Sequence, residues 1–378
     1  MDFRYTDEQL ALQNTLQRFI ARDYGFEQRR ALTRSPLGYS PQAWTQYAEL
    51  GLLGLPLPEE FGGLSGTGVD IMLVMESIGQ GLLLEPYWST VVLCGGLIRD
   101  AASPAMKRAI LPQIVEGTVK LAFACYEARG RYDLHHVECG ATRAAAGWQL
   151  SGKKSVVLDA PSADYLLVSA RTAGSTTDAQ GVSLLLVPKD ARGVSLRSYP
   201  TQSGGRAADV EFKNVAVTED MLIGAVGGGL SVLERAVDRG IAALCAEALG
   251  IMVALNQATL NYTKTRKQFG LPIGSFQALQ HRMADMFIAT EQTRSMAIIA
   301  AMNATSYDAL ERRRAVSGAK AYIGQAARFV GQQAVQLHGA MGVVDDVIVS
   351  HYFKRLTMID MTFGDADYHL GKVSELLR

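Results

Sequence analysis

The sequence predicts an α+β multidomain protein. An N-terminal helical domain covers residues 1–118, a middle antiparallel β-barrel or sandwich covers 119–225, and a C-terminal four-helix bundle covers 226–378. Three observations predict it. Leu230, Leu233, Val237, Ile241, Leu244, Ala248, Ile251 and Leu255 recur every three or four positions, the spacing of a long helix with one buried face. Between about 119 and 225 that period gives way to short β-branched or alternating runs parted by Gly, Asp and Ser. Beyond 230 the helical period returns in long stretches joined by tight loops, the pattern of a bundle.

In chain order, Thr6-Asp7-Glu8-Gln9 is a capping box opening onto Leu10, Leu12, Leu16, Phe19 and Ile20. Pro41 starts a second helix from a first-turn position that tolerates it. Pro56 to Gly63 is too rich in Pro and Gly to be regular. Val69–Gly79, Tyr87–Arg99 and Pro104–Glu116 read as further helices, with Leu84-Glu85-Pro86 between the first two. Strands are expected at Leu121–Cys125, Val156–Leu158, Tyr165–Ser169, Val182–Val187 and Ala208–Phe212, and Trp148–Lys154 reads as a hairpin with its turn. Gly227-Gly228-Gly229 serves equally as a hinge or a phosphate cradle. Helices follow at about 230–265, 276–302, 306–337 and 366–377.

A chain of 378 residues is long enough for two or three domains. With 48% apolar residues, 20% charged and zero net charge, nothing points to nucleic acid or an anionic membrane as partner. A phosphate-bearing ligand must then be held by local Arg or Lys. Cys94, Cys125, Cys139 and Cys245 are scattered, which fits reduced thiols better than disulfides or a zinc site. The histidines show no metal spacing, and no nucleophile elbow is present. The N-terminus lacks a signal-peptide core and no run approaches a membrane span, so a soluble, cytoplasmic protein is expected.

The chain is organised around Arg266–Met286. Gly270-Leu271-Pro272-Ile273-Gly274 breaks one long helix and a second begins after it. Arg266, Gln268 and Phe269 are thereby held at a helix–helix corner, where an Arg fork suits phosphate and a solvated loop arginine is the plain alternative. The wording Arg266-x-x-Phe269-Gly270…Phe276-Gln277-x-x-Gln280-x-x-Met283-Ala284-Asp285-Met286 resembles the signature of the acyl-CoA dehydrogenase family of flavoproteins. Pro58-Glu59-Glu60-Phe61-Gly62-Gly63 is similar to that family's N-terminal domain. The order helices, sheet, helix bundle is also the family's, so the resemblance covers essentially the whole chain. It implies the acyl-CoA dehydrogenase fold, with FAD bound at subunit interfaces in a homotetramer or a two-type heterotetramer, a dimer of dimers. Arg266, Phe269 and Gln277, with Gln268 beside them, are implied to reach a neighbour's FAD. Gln336-Leu337-His338-Gly339-Ala340-Met341-Gly342 resembles the family's Gln-x-x-Gly-Gly-x-Gly turn. Gln336, Gly339 and Gly342 are implied to hold the adenine half, with Ala340 in place of the second glycine.

The resemblance also implies the reaction: oxidation of the Cα–Cβ bond of an acyl-CoA thioester to trans-2-enoyl-CoA, with electron-transfer flavoprotein or a similar acceptor. It requires a carboxylate base and donors to the thioester oxygen. Registering Phe363 on the family's Tyr-Glu-Gly-Thr-like motif puts Gly364 in the base slot. The minority position, 26 residues before Arg266, is Gly240. Three readings stay open. Asp365 or Asp367 is a displaced base or merely a helix N-cap. Glu247, near Gly240's helix face, is a base or a paired structural carboxylate. Or the chain has no base, and Gly364 offers only its N–H beside a catalytic partner. The flavin-side loop differs as well: Thr-Glu-Pro-x-x-Gly-Ser-Asp is Tyr126-Glu127-Ala128-Arg129-Gly130-Arg131-Tyr132-Asp133, and Trp-Ile-Thr-Asn is replaced within Ser155–Asp159. The ending Phe363–Leu370, after His351–Leu356, looks most like the small-subunit branch related to pimeloyl-CoA dehydrogenase.

Overall fold

Thr6 opens the first helix through the expected reciprocal cap: its hydroxyl accepts from the Gln9 N–H, and the Gln9 side chain accepts from the Thr6 N–H at 3.1 Å. This is seen in a computed structural model that describes residues 5–377. In order, the helices before the sheet are α1 (Asp7–Asp23), α2 (Phe26–Arg34), α3 (Pro41–Glu49), α4 (Gly68–Gly81), a π-helical segment Trp88–Gly95 continuing into α5 (Gly96–Ala101), and α6 (Pro104–Val115). α2 escaped the sequence reading because its turns are mostly charged; its buried anchor is Arg29, which donates to the Leu82 carbonyl at 2.9 Å.

The chain divides into two compact units: the described residues of Met1–Arg30, Thr67–Leu83 and Ile241–Arg378 form one, and Ala31–Gly66 with Leu84–Gly240 the other. The second holds an eight-stranded sheet: β1 (Leu121–Ala124), β2 (Gly140–Ala144), β3 (Gly147–Leu158), β4 (Tyr165–Arg171), β5 (Val182–Pro188), β6 (Val194–Pro200), β7 (Arg206–Thr218) and β8 (Leu222–Ile223). The order is β6-β7-β3-β2-β4-β5-β8, with β1 also on β4. Pairing is antiparallel except for β1 on β4 and the single β2–β4 step. Leu150, Leu166, Val168, Leu185 and Phe212 fill its core. The expected Trp148–Lys154 hairpin is instead the interior of β3. The turn lies before it, at the residues between β2 and β3, and Gly152 (φ +145°) marks a bulge where the β3–β7 register shifts. The turn itself is Ala145-Ala146, and its one turn-favouring residue, Gly147 (φ +136°), stands just after it as the first residue of β3.

The other unit contains α1, α4, the part of α7 (Leu230–Thr265) from Ile241 onward, α8 (Gln277–Asn303), α9 (Ala309–His338), α10 (Ile348–Met361) and α11 (Ala366–Leu376). α10 was not anticipated as a helix. α7 corrects one expectation: an 18-residue window has mean hydropathy 1.6, enough by length and composition to cross a bilayer. Since 72% of that window is buried, it reads as a core helix. α4 crosses α7 at two glycines. A Cβ on Gly79 would stand 2.1 Å from the Glu247 carbonyl oxygen, and one on Gly250 would stand 1.9 Å from that of Glu76. Only bare backbone permits that approach.

Candidate functional site

The corner after α7 is a two-residue hairpin in which β9 (Lys267–Gln268) pairs with β10 (Leu271–Pro272). Phe269 (φ +53°) and Gly270 (φ +81°) are its central residues, the doubly left-handed turn that suits tight hairpins. Phe269 stands 91% exposed, touching Phe276 edge-on with ring centroids 6.2 Å apart. Arg266, Gln268 and Gln277 are exposed, and the Arg266 guanidinium has no partner among the described residues. A large apolar ring and a free fork are thus displayed together.

The glycine turn after α9 belongs to the same region. The Tyr262 ring stacks on His338 at 4.4 Å, and the Tyr262 hydroxyl donates to the His338 carbonyl at 3.4 Å. Gln336 and Gly339 are exposed; Gly339 (φ +59°, ψ −139°) has open space where a Cβ would lie. Gly342 is required by packing, since a Cβ there would sit 2.6 Å from the Val335 carbonyl. Tyr262, one turn before Arg266, thus packs the end of α7, which leads into the corner of Arg266, Gln268, Phe269 and Gln277, against the start of the turn that holds Gly339 and Gly342. Open backbone, a free guanidinium and an exposed ring fit a dinucleotide's diphosphate and adenine.

The implied base slot is closed. Gly364 has φ +114°, and a Cβ there would fall 2.4 Å from Tyr368 Cδ1 and 2.7 Å from His369 Nε2. Asp365 is the N-cap of α11, accepting from the Tyr368 N–H at 2.9 Å, and Asp367 is exposed. Glu247 is 2% exposed and gripped by Arg355 through two bonds of 2.5 and 2.7 Å. At Gly240 the carbonyl accepts from the Trp88 indole at 2.9 Å.

Sequence reasoning missed the groups that shape this turn. Lys320 Nζ, 1% exposed, donates to the carbonyls of Ile359 (2.7 Å), Asp360 (2.8 Å) and Gly364 (2.9 Å). Burial pulls its pKa down to about 8. His369 bonds Phe363 O through Nε2 at 3.0 Å and Ser317 Oγ through Nδ1 at 3.1 Å; burial holds its pKa down to about 4. The signal was present, since Lys320 occupies a core-phase position among Val316, Ala319 and Ile323. The 18 steps from Lys320 to His338 span about 27 Å of helix at ~1.5 Å per residue, so the closed slot, tied to Lys320 near the middle of α9, lies well apart from the glycine turn at its C-terminal end.

In the sheet unit, Glu127 is a structural pin. Its carboxylate takes the Lys154 ammonium at 2.7 Å and the N–H groups of Glu138 (2.6 Å) and Cys139 (3.0 Å). Glu127, His136 and Glu138 approach metal-site spacing, but these donors occupy both Glu127 oxygens and one is a cation. β3 bulges again before Val157, leaving Val156 strained at φ +51° and half exposed. Asp159 (φ +61°) accepts from Ser89 Oγ at 2.6 Å. The triple glycine is no free cradle: Gly227 N–H goes to Ser183 Oγ (2.8 Å) and Gly229 N–H to the Val182 carbonyl (2.7 Å).

Comparison with known proteins gives three family matches: the acyl-CoA dehydrogenase N-terminal domain over residues 6–118, its middle domain over 122–215, and its C-terminal domain over 227–377. Isovaleryl-CoA dehydrogenase of Solanum tuberosum is 28% identical over 87% of this chain and 81% of its own. A variant of the Tcur3481-Tcur3483 steroid ACAD is 30% identical, with TM-score 0.88 over 98% of each chain. The ChsE4-ChsE5 complex of Mycobacterium tuberculosis is 25% identical, with TM-score 0.89 over 100% of this chain and 99% of that one.

Proposed function

The chain belongs to the acyl-CoA dehydrogenase family, and from that premise we propose that it is the base-lacking subunit of a two-type assembly that oxidises the Cα–Cβ bond of an acyl-CoA thioester to trans-2-enoyl-CoA. The cofactor is FAD, held in part by Arg266, Gln268, Phe269, Gln277, Gln336, Gly339 and Gly342. When bound, FAD takes up the two electrons of the oxidation, for delivery to electron-transfer flavoprotein or a similar acceptor. This chain's residues clasp the dinucleotide, and its Phe363–Asp365 turn offers backbone donors to a thioester oxygen without a base beside them. One observation carries the reading: the Gly364 slot has neither a carboxylate nor room for one. The two-component names of the Tcur3481-Tcur3483 and ChsE4-ChsE5 relatives support it. So does the Phe363–Leu370 ending, which favours the small-subunit branch related to pimeloyl-CoA dehydrogenase.

The test is to purify the chain alone and co-expressed with a homologue that carries the motif glutamate. Flavin absorbance and anaerobic bleaching by acyl-CoA are then measured. Substoichiometric flavin and no bleaching alone, with both restored in the mixed complex, is the expected result. Full flavin loading and rapid bleaching by the chain alone would overturn it.

A further inference from the structure

Tyr262 and His338 meet where the end of α7 crosses the end of α9. Their rings stack with centroids 4.4 Å apart and planes 25° from parallel, and the Tyr262 hydroxyl donates to the His338 carbonyl at 3.4 Å. His338 is buried, and burial holds its pKa below the ordinary histidine value. Its Nδ1 lies 2.8 Å from the Ala334 carbonyl, one turn back on α9. A carbonyl only accepts, so Nδ1 carries the proton and the ring plane is fixed against its own helix.

Each ring is also tied through the main chain to one half of the clasp. The Tyr262 carbonyl accepts the Arg266 N–H at 2.8 Å, which closes the last turn of α7. The Arg266 carbonyl in turn accepts the Ile273 N–H at 2.8 Å, across the base of the β9–β10 hairpin. On the other side, His338 is the last residue of α9, and the Gly339 N–H turns back to the Gln336 carbonyl. A shift of one ring past the other therefore moves Arg266 relative to Gln336 and Gly339. Two aliphatic side chains would bury similar area at this crossing but would fix neither a plane nor a spacing. Stacked rings, each held by a hydrogen bond, fix both.

We propose that Tyr262 and His338 are positioning residues of the cofactor clasp. Their stack sets the spacing between the Arg266 corner and the Gln336–Gly342 turn, and thereby how tightly the clasp holds FAD. This rests on the clasp reading above.

The experiment uses the complex of the full chain with a glutamate-bearing homologue, stripped of flavin and titrated with FAD by flavin fluorescence. Tyr262→Leu and His338→Leu should each raise the FAD dissociation constant about fivefold, the scale of one aromatic pair. Tyr262→Phe and His338→Phe, which keep a stack, should stay within about twofold of wild type. The double leucine variant should bind no more weakly than either single one, and on an Arg266→Ala background Tyr262→Leu should add less than about twofold. Melting temperatures of the flavin-free complexes should stay within a few degrees of wild type. Leucine variants that melt earlier yet keep wild-type flavin affinity would make the stack merely structural and overturn the proposal. So would a Tyr262→Leu penalty that persists in full on Arg266→Ala. If Tyr262→Leu does not assemble, His338→Leu set against His338→Phe decides. Undiminished affinity in Arg266→Ala itself overturns the clasp reading, whereas a weakened Arg266→Ala beside unaffected leucine variants overturns the positioning role alone.

Discussion

Gly364 and His369 are in mutual steric dependence, and that sets two expectations at the scale of single residues. A side chain at Gly364 meets Tyr368 and His369 and must also adopt φ +114°. Gly364→Glu is therefore expected to destabilise the fold by roughly 2–4 kcal/mol in urea unfolding and to confer no dehydrogenase activity. Recovery of acyl-CoA bleaching in that variant would show that the slot can open. His369 stays neutral down to about pH 4, whereas the unfolded chain protonates it near its usual 6.5. The unfolded state holds the extra proton between those values, so stability falls as pH drops through that window and levels off below it. The full effect is of order 3 kcal/mol. Unfolding free energies at pH 7 and pH 4 should therefore differ more in wild type than in His369→Leu, and equal slopes would remove His369 from the acid response.

Among elements, the crossing of α4 and α7 is the most exacting contact. Gly79 and Gly250 each face a carbonyl oxygen of the opposite helix at a spacing no methyl group tolerates. Gly250→Ala should part the helices and cost about 2–4 kcal/mol, despite alanine's better helix propensity. A neutral or stabilising result in thermal unfolding would refute the close crossing. The same contacts explain what the sequence could and could not reveal. α7, α8 and α9 were legible because long apolar periods and a Gly-Pro break leave little choice of structure. Gly250 itself was silent, since an interior helical glycine states its reason only when its neighbour is known. β6 was missed because as an edge strand it is half polar on both faces, with no clean alternation. α10 was missed because His351–Leu356 read as a motif and not as a turn of helix. At the site, the cofactor corner was legible in full wording, while Lys320, His369 and Arg355 were not: each acts through a partner far away in sequence.

For the whole molecule, the separation along α9 governs how sites are assembled. The clasp of Arg266, Phe269 and the Gln336–Gly342 turn lies at one end, and the closed Gly364 slot is tied to Lys320 about 27 Å away along the helix. On the two-type reading proposed above, a dinucleotide gripped at the clasp would present its reacting end to a different chain's turn, each chain lending its clasp outward. This makes the two functions of one chain separable in a mixed assembly. Arg266→Ala with Phe269→Ala changes only exposed side chains, so the variant should fold with a melting temperature within a few degrees of wild type. Co-expressed with a glutamate-bearing homologue, it should give a complex with at least a severalfold loss of bound flavin, and bleaching by acyl-CoA should fall in proportion. Lys320→Met in the same complex should leave the flavin bound and its turnover by the homologue intact, because its turn serves no base. If the clasp variant keeps its flavin and the Lys320 variant loses it, the allocation of roles between the C-terminal end of α9 and its Lys320 region is wrong.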